Sequence, residues 1–321
     1  MHMRLIFRAY SREIIPDCIP GNLSRDAGFT IVEIVAVILV SAVMAAGVVT
    51  YISRASEGVV LATELNQLSS AGRMAINRLA MELHNSLPNS IRTSPVSGGD
   101  QCIEFIPVRA ATSYINPPFS GSGSTTFDVV DFTPSQHGIS GGFAVIYPRN
   151  QSQIFDGDNG AVYANWPNFP NRRPIQEIQD IQDSASVDQS TVTLVTAHRF
   201  NRRSPNQRFF VVEQPVSYCV VGDKLYRYSD YGFFASQVTE EESGTCSVTP
   251  DPPDRCLPNY AAGPARKKVL ITDSIDNSGI TAFSIGTQSL QRNSLVKITF
   301  NMSNGVTSIT LNHEVLTRST P

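Results

Sequence analysis

The chain has 321 residues, 41% hydrophobic and 17% charged, which is the balance of a folded protein and excludes a wholly disordered one; it is long enough for one large domain or two modest ones. The formal net charge is -3, so no overall basic excess directs the chain to nucleic acid or acidic lipid, and any such partner needs a local patch.

From the N-terminus, residues 1–28 are polar, carry Arg4, Arg8, Arg12 and Arg25, and end on the small residue Gly28. The run from Ile34 to Ile52 has no charge and only the small polar residues Ser41 and Thr50. A helix over Phe29–Ile52 would be roughly 36 Å long at ~1.5 Å per residue, enough to cross a ~30 Å hydrocarbon core. No second run of that kind follows. A secretory signal places its cleavage site after the apolar core. Here the small residue precedes it, so a cut after Gly28 leaves the membrane helix on the mature chain. Four arginines before the helix against Arg54 just after it put the leader in the cytoplasm and the C-terminal part across the membrane.

Glu33 lies at the edge of this span. A carboxylate within a bilayer-spanning segment costs about 2.5–3.5 kcal/mol and ordinarily has a partner. Cleavage after Gly28 would create one, the new ammonium of Phe29, and pairing between neighbouring subunits would offset desolvation while setting their axial register.

Helical spacing continues beyond the span, with Leu61, Leu65, Leu68, Gly72, Ala75, Leu79 and Leu83 at steps of three or four and Glu64, Asn66, Arg73, Asn77, Arg78 and Glu82 on other faces. No proline interrupts residues 29–87 and Pro88 supplies a stop, so the whole helix is expected to reach about 59 residues and ~90 Å. From Cys102 the period changes to two. Strands are expected at Cys102–Ile106, Phe143–Tyr147, Thr191–Thr196, Phe209–Glu213, Val216–Val221, Lys224–Tyr228, Val269–Thr272, Ile280–Ile285, Leu295–Asn301 and Val306–Leu311. Val221-Gly222-Asp223-Lys224 and Ser303-Asn304-Gly305 signal tight hairpin turns. Residues 112–190, rich in Gly, Ser, Asn and Pro, read as long loops with short strands. One long helix followed by strands implies an α+β fold with antiparallel sheet.

The junction Gly28-Phe29-Thr30-Ile31-Val32-Glu33 resembles the processing site of type IV prepilins and of type II secretion pseudopilins. The resemblance implies a pilin-like fold, in which a long N-terminal α-helix, membrane-spanning in its first half, packs on an antiparallel β-sheet domain. It implies a leader over 1–28, a transmembrane helix segment over 29–53, an amphipathic periplasmic segment over 54–90 and a β-rich globular domain over 91–321. In that family a membrane-embedded prepilin peptidase cuts after the Gly, the new N-terminal Phe is methylated, and the Glu aligns subunits during assembly; those roles fall on Gly28, Phe29 and Glu33. The implied location is the inner membrane, with a single pass, and then the pilus or cell surface. The implied partners are prepilin peptidase, other major and minor pilins, the inner-membrane pilus assembly platform and membrane lipid. Three later segments, Arg78–Arg92, Pro215–Tyr228 and His313-Glu-Val315, look like the minor pilins of the mannose-sensitive haemagglutinin pilus, which are related to the J-type pseudopilins. The function expected on this resemblance is a minor pilin that initiates assembly at or near the filament tip for adhesion or motility. A J-type pseudopilin of a secretion system is the alternative, and a DNA-receptor pilin a second one.

Cys18 would leave with the leader, so Cys102, Cys219, Cys246 and Cys256 remain in an oxidising compartment. Cys246 and Cys256 flank a Pro-rich loop whose closure contributes about 3 kcal/mol by chain entropy. Cys102 and Cys219, on predicted strands, would then form the other pair; three connectivities are open, with free buried thiols the remaining alternative. No CxxC spacing suggests zinc. Gly138-Ile-Ser-Gly-Gly142 matches the G-x-S-x-G pattern of hydrolases, but a strand rather than a helix follows it, so a turn and no catalytic role is expected. Asp156 and Asp158 lie in a cluster of oxygen donors that could contact Ca²⁺; without the full loop spacing and distal Glu, a solvated turn is favoured and no cofactor is expected. Arg199, Arg202, Arg203 and Arg208 beside Phe200, Phe209 and Phe210 could bind a DNA backbone, although a solvated loop flanking a strand is the favoured reading and nucleic acid is not an expected partner.

Overall fold

The computed structural model describes residues 28–95, 100–132, 141–155, 172–180, 189–234, 237, 267–286 and 294–317. The chain divides into two compact units, Met1–Gly58 and Val59–Pro321. Helix α1 runs Ile31–His84. It starts two residues later than the expected Phe29 because Thr30 acts as the N-cap.

In the first unit the large apolar side chains from Phe29 to Ile52 are exposed. This stretch is long and apolar enough to cross a membrane, and none of it is buried in the chain's own fold. The two polar side chains within it turn back on the helix: Ser41 Oγ donates to Ile38 O at 3.0 Å and Thr50 Oγ1 to Ala46 O at 2.8 Å. Neither hydroxyl then needs water as a partner for its proton, which suits them to a hydrocarbon setting.

In the second unit the helix buries Leu68, Gly72, Ala75, Ile76, Leu79, Ala80 and Leu83. The stripe therefore starts later than the sequence pattern implies: Leu61 is 45% exposed, and Ile76 and Ala80 widen the lower part. The helix ends at His84 rather than Leu87, because Ser86 Oγ caps Leu83 O at 2.7 Å and Leu87 N donates to Ile106 O at 2.8 Å. The last turn is traded for sheet-like contacts before Pro88 is reached.

The strands are β1 (Arg92–Thr93), β2 (Gln101–Phe105), β3 (Val108–Ser113), β4 (Ser124–Val130), β5 (Phe143–Ile146), β6 (Arg172–Asp180), β7 (Gln189–His198), β8 (Arg208–Val212), β9 (Val216–Val221), β10 (Lys224–Ser229), β11 (Lys267–Thr272), β12 (Phe283–Ile285), β13 (Ser294–Ser303) and β14 (Ser308–Thr317), with one short helix, α2 (Ser152–Phe155). They form three sheets, ordered β1-β2-β9-β10-β11, β12-β13-β14 and β3-β8-β5-β6-β7-β4. Every pairing of these strands is antiparallel. The α+β layout follows directly from one long helix and these antiparallel sheets.

Helix α1 packs on the first two sheets. Leu79, Leu83, Ile103, Phe105, Val216, Tyr218, Val296, Ile298 and Phe300 share one core, and each fully buried Leu or Phe contributes roughly 1.5–3 kcal/mol. The period-2 rule separates the faces of the five-stranded sheet: Ile103, Phe105, Tyr218 and Val220 join the helix core, while Cys102, Cys219 and Tyr228 form a second cluster. The helix lies close against the three-stranded sheet at Gly72, where an added Cβ would stand 2.5 Å from Leu311 Cδ1 and 2.9 Å from Met302 Cγ. Gly72→Val is expected to destabilise the second unit by about 1–3 kcal/mol through overpacking. The helix-propensity gain over Gly is under ~1 kcal/mol and cannot compensate. Urea unfolding followed by circular dichroism checks this, and an unchanged midpoint would refute the close approach.

The six-stranded sheet is covered on both faces, by Phe127, Val129, Val192, Leu194 and Phe209 on one and by Phe143, Val145, Phe210 and Val212 on the other. Residues 112–190, expected as long loops with short strands, supply the expected β5 and, beyond it, β4, β6 and the start of β7. The Ser and Thr at the start of β4 and the Arg and Gln of β6 dilute the apolar alternation by which a strand is read from sequence. Two turn expectations differ in outcome. Val221 pairs with Lys224, leaving Gly222 and Asp223 as a two-residue turn with Gly222 at φ 58°. In the β13–β14 hairpin Ser303 pairs with Ser308, so the loop has four residues. There Asn304 Oδ1 accepts from Val306 N at 3.0 Å and Thr307 N at 2.8 Å, stabilising the wider loop that the Asn-Gly signal did not predict. The same shift starts β14 at Ser308 instead of Val306. Strand β12 is only Phe283–Ile285, since Ile280 N closes a turn on Asn277 O at 2.8 Å.

Candidate functional site

The N-terminal determinant is built on the first turn of α1. Glu33 N donates to Thr30 Oγ1 at 3.2 Å and lies 3.0 Å from Thr30 O, and Ile34 N donates to Thr30 O at 3.2 Å. Thr30-Ile-Val-Glu33 is the S/T-x-x-E spacing of a helix start, a signal inside the junction motif that a reading aimed at cleavage passes over. The cap defines where the helix begins and therefore places Glu33 in its first turn, where the positive end of the helix dipole favours a carboxylate. Gly28 is exposed, and a Cβ built on it would meet nothing within 4 Å. Phe29 is 78% exposed, so the Gly28–Phe29 bond is sterically open.

In the second unit two polar clusters anchor the five-stranded sheet, one to Phe155 and the Tyr231–Phe234 segment and the other to helix α1. Glu104 is fully buried on β2, directly opposite Arg92 of β1, and the two side chains form an ion pair. Arg92 Nη2 also donates to Phe234 O at 2.8 Å, and its guanidinium lies 3.7 Å from the Phe155 ring centroid. The other carboxylate oxygen accepts from Tyr231 Oη at 2.8 Å, and Tyr231 Oη is 2.8 Å from Ser217 Oγ. Burial pushes the Glu104 carboxyl above the usual carboxylate range, against the opposing charge of Arg92 and the hydrogen bonds from Arg92 and Tyr231. Tyr231 is pushed well up, first by burial and then by the Glu104 charge. Nearer the helix, Glu82 accepts from Tyr218 Oη at 2.8 Å and from Arg227 Nε at 3.0 Å, joining α1 to β9 and β10. Burial, reinforced by Glu82, raises the Tyr218 hydroxyl. None of these charged partners was marked by spacing in the sequence, since each pair is far apart along the chain.

Cys102 of β2 and Cys219 of β9 are register partners with Cα atoms 4.0 Å apart and their sulfurs bonded. The bond closes a separation of 117 residues, for which chain entropy gives about 4–5 kcal/mol. Cys246 and Cys256, the calcium candidates Asp156 and Asp158, and the leader through residue 27 lie outside the described residues. Among the described residues no group of three or more His, Cys, Asp or Glu is arranged to hold a metal ion. Of the G-x-S-x-G stretch, Gly141 and Gly142 are described; both have positive φ, and they lead into β5. A Cβ on Gly142 would stand 2.9 Å from Val212 O, so this glycine is required by strand contact.

The basic stretch separates into two kinds of residue. Arg199, Arg202 and Arg203 are exposed, whereas Phe200, Phe209 and Phe210 are buried in the six-stranded sheet's cores. Those rings are core residues and offer no face to a base. No protein-family model, curated protein or solved structure matches the chain.

Proposed function

We propose that this chain is a minor pilin, similar to the MshO type, cleaved after Gly28 by prepilin peptidase, methylated on Phe29 and incorporated at or near the tip of a type IV pilus. The observation that carries the reading is a long apolar helix uncovered by its own fold, with a single acid, Glu33, in the first turn behind an open Gly28–Phe29 bond. Such a surface needs lipid before assembly and other apolar helices after it. The acid then has a use in both settings: it seeks the new α-ammonium of a neighbouring pilin. Subunit work of this kind is mechanical, and adhesion or motility follows from the filament it starts. The DNA-receptor alternative loses its stacking platform, because Phe200 and Phe209 face the core.

N-terminal sequencing and mass spectrometry of the chain purified from membranes containing prepilin peptidase test the proposal. The mature chain is expected to begin at N-methylated Phe29. A chain that retains residues 1–28 in assembled filaments, or one cut after the apolar stretch, would overturn it.

A further inference from the structure

Beside the six-stranded sheet a cleft of about 160 Å³ lies between residues 114–119 and the loop that precedes β8. Its walls include Tyr114, Asn116, Phe119, Arg203 and Gln207. The two segments are pinned together by backbone: Phe200 N donates to Pro118 O at 2.9 Å and Tyr114 N to Gln207 O at 2.8 Å. Tyr114 Oη accepts from Ser204 N at 2.9 Å and donates to Ser204 O at 3.2 Å. Gln207 is held at φ 53°, a left-handed conformation uncommon for a residue with a side chain, and strain of that kind gathers at binding sites.

The cleft's one cation is set as a platform. The Arg203 guanidinium lies 5.0 Å from the Phe119 ring centroid, and Phe119 meets Tyr114 edge-on at 5.5 Å. This cation–π contact holds the guanidinium over the ring and leaves its N–H donors for a planar oxyanion. The nearby carboxylate, Asp128, is occupied by Asn116 and Thr191 instead. Among the described residues Arg203 joins none of the ion pairs, and Arg199 and Arg202 add positive charge along the same loop.

We infer that this cleft binds a carboxylate-bearing polysaccharide, with Arg203 taking the carboxylate and the Gln207 amide, which also lines it, taking a neighbouring hydroxyl. A nucleic acid fits less well. Single strands stack bases on exposed rings, and here Phe119 is covered by Arg203 while Phe200 and Phe209 are buried. The inference is independent of the pilin reading, since it rests on the second unit alone.

The test uses the full chain in detergent micelles, titrated by biolayer interferometry with polygalacturonate, neutral dextran and a single-stranded oligodeoxynucleotide. Polygalacturonate is expected to bind, more weakly as salt is raised. Arg203→Ala should weaken it about tenfold, the worth of one charge-assisted hydrogen-bonding group. Arg203→Lys, which cannot present the flat fork, should recover only part of that loss. Lys297→Ala, at an exposed position on β13, should change nothing, and Arg203→Ala should unfold at the wild-type midpoint. Equal binding of dextran, tighter binding of the oligonucleotide, no binding at low salt, or an Arg203→Ala protein that binds normally would each overturn the inference.

Discussion

Arg92→Ala is expected to destabilise the second unit by about 3–5 kcal/mol, the cost of leaving a buried carboxylate without its partner. The side chain does three things at once: it neutralises Glu104, donates to Phe234 O and covers the Phe155 ring. Glu104 is fully buried, and Tyr231 can donate only one hydrogen bond to it. The loss should therefore depend on pH. Burial already holds the Glu104 carboxyl above its ordinary range in the folded state, and removing Arg92 takes away the charge that opposes this. A folded state that binds a proton more tightly than the unfolded chain gains stability as pH falls toward the unfolded carboxylate range. That gain is lost as pH rises through the folded pKa. Arg92→Ala should consequently be least impaired at mildly acidic pH and most impaired at neutral pH. Urea titrations followed by circular dichroism at several pH values check both statements. The double variant Arg92→Met with Glu104→Gln should recover much of the stability, because a neutral buried pair carries no ionic desolvation cost. A loss below about 1 kcal/mol for Arg92→Ala would show that water reaches the pair.

Glu33→Val is expected to abolish incorporation into filaments while leaving cleavage after Gly28 and methylation of Phe29 intact. Removing the carboxylate relieves about 2.5–3.5 kcal/mol of insertion cost, so the variant should remain in the membrane at least as well as the parent. On the proposed assembly role, what it loses is the attraction that brings one subunit's acid to the ammonium of another. Thr30 still caps the helix through its hydroxyl, so the local fold should survive. Comparing membrane and sheared-filament fractions by immunoblot gives the result directly. Glu33→Gln, which keeps the size without the charge, should behave like Glu33→Val. Filaments containing either variant at parental levels would remove the electrostatic role of this position.

Much of the architecture was legible from local rules. The apolar run from Ile34 to Ile52, the helical stripe after it and the strands at Val216–Val221 and Lys224–Ser229 follow from hydrophobic period alone, and the Gly222-Asp223 turn from its chemistry. Strands β4 and β6 were hidden because Ser124–Val130 and Arg172–Asp180 carry few apolar residues and acquire their strand character from neighbours. Pairing energy comes from the strand opposite, which a linear pattern does not display. The β13–β14 loop escaped because one side-chain oxygen on Asn304 satisfies two backbone donors and so favours a longer connection.

The N-terminal determinant and the buried network mark the two limits. Gly28, Phe29, Thr30 and Glu33 are consecutive or nearly so, and the forces that matter to them act within one helical turn or against the surrounding solvent. Composition and order therefore specify that region without any knowledge of the rest. Arg92 and Glu104 are twelve positions apart, Glu104 and Tyr231 127, and Glu82 and Arg227 145. The Arg203 and Phe119 platform likewise joins residues from separate strand connections. Charges and rings like these have no local preference for one another. Only the sheet pairings that bring β1, β2, β9 and β10 together remove water from between them, and that loss of water is what makes their attraction strong.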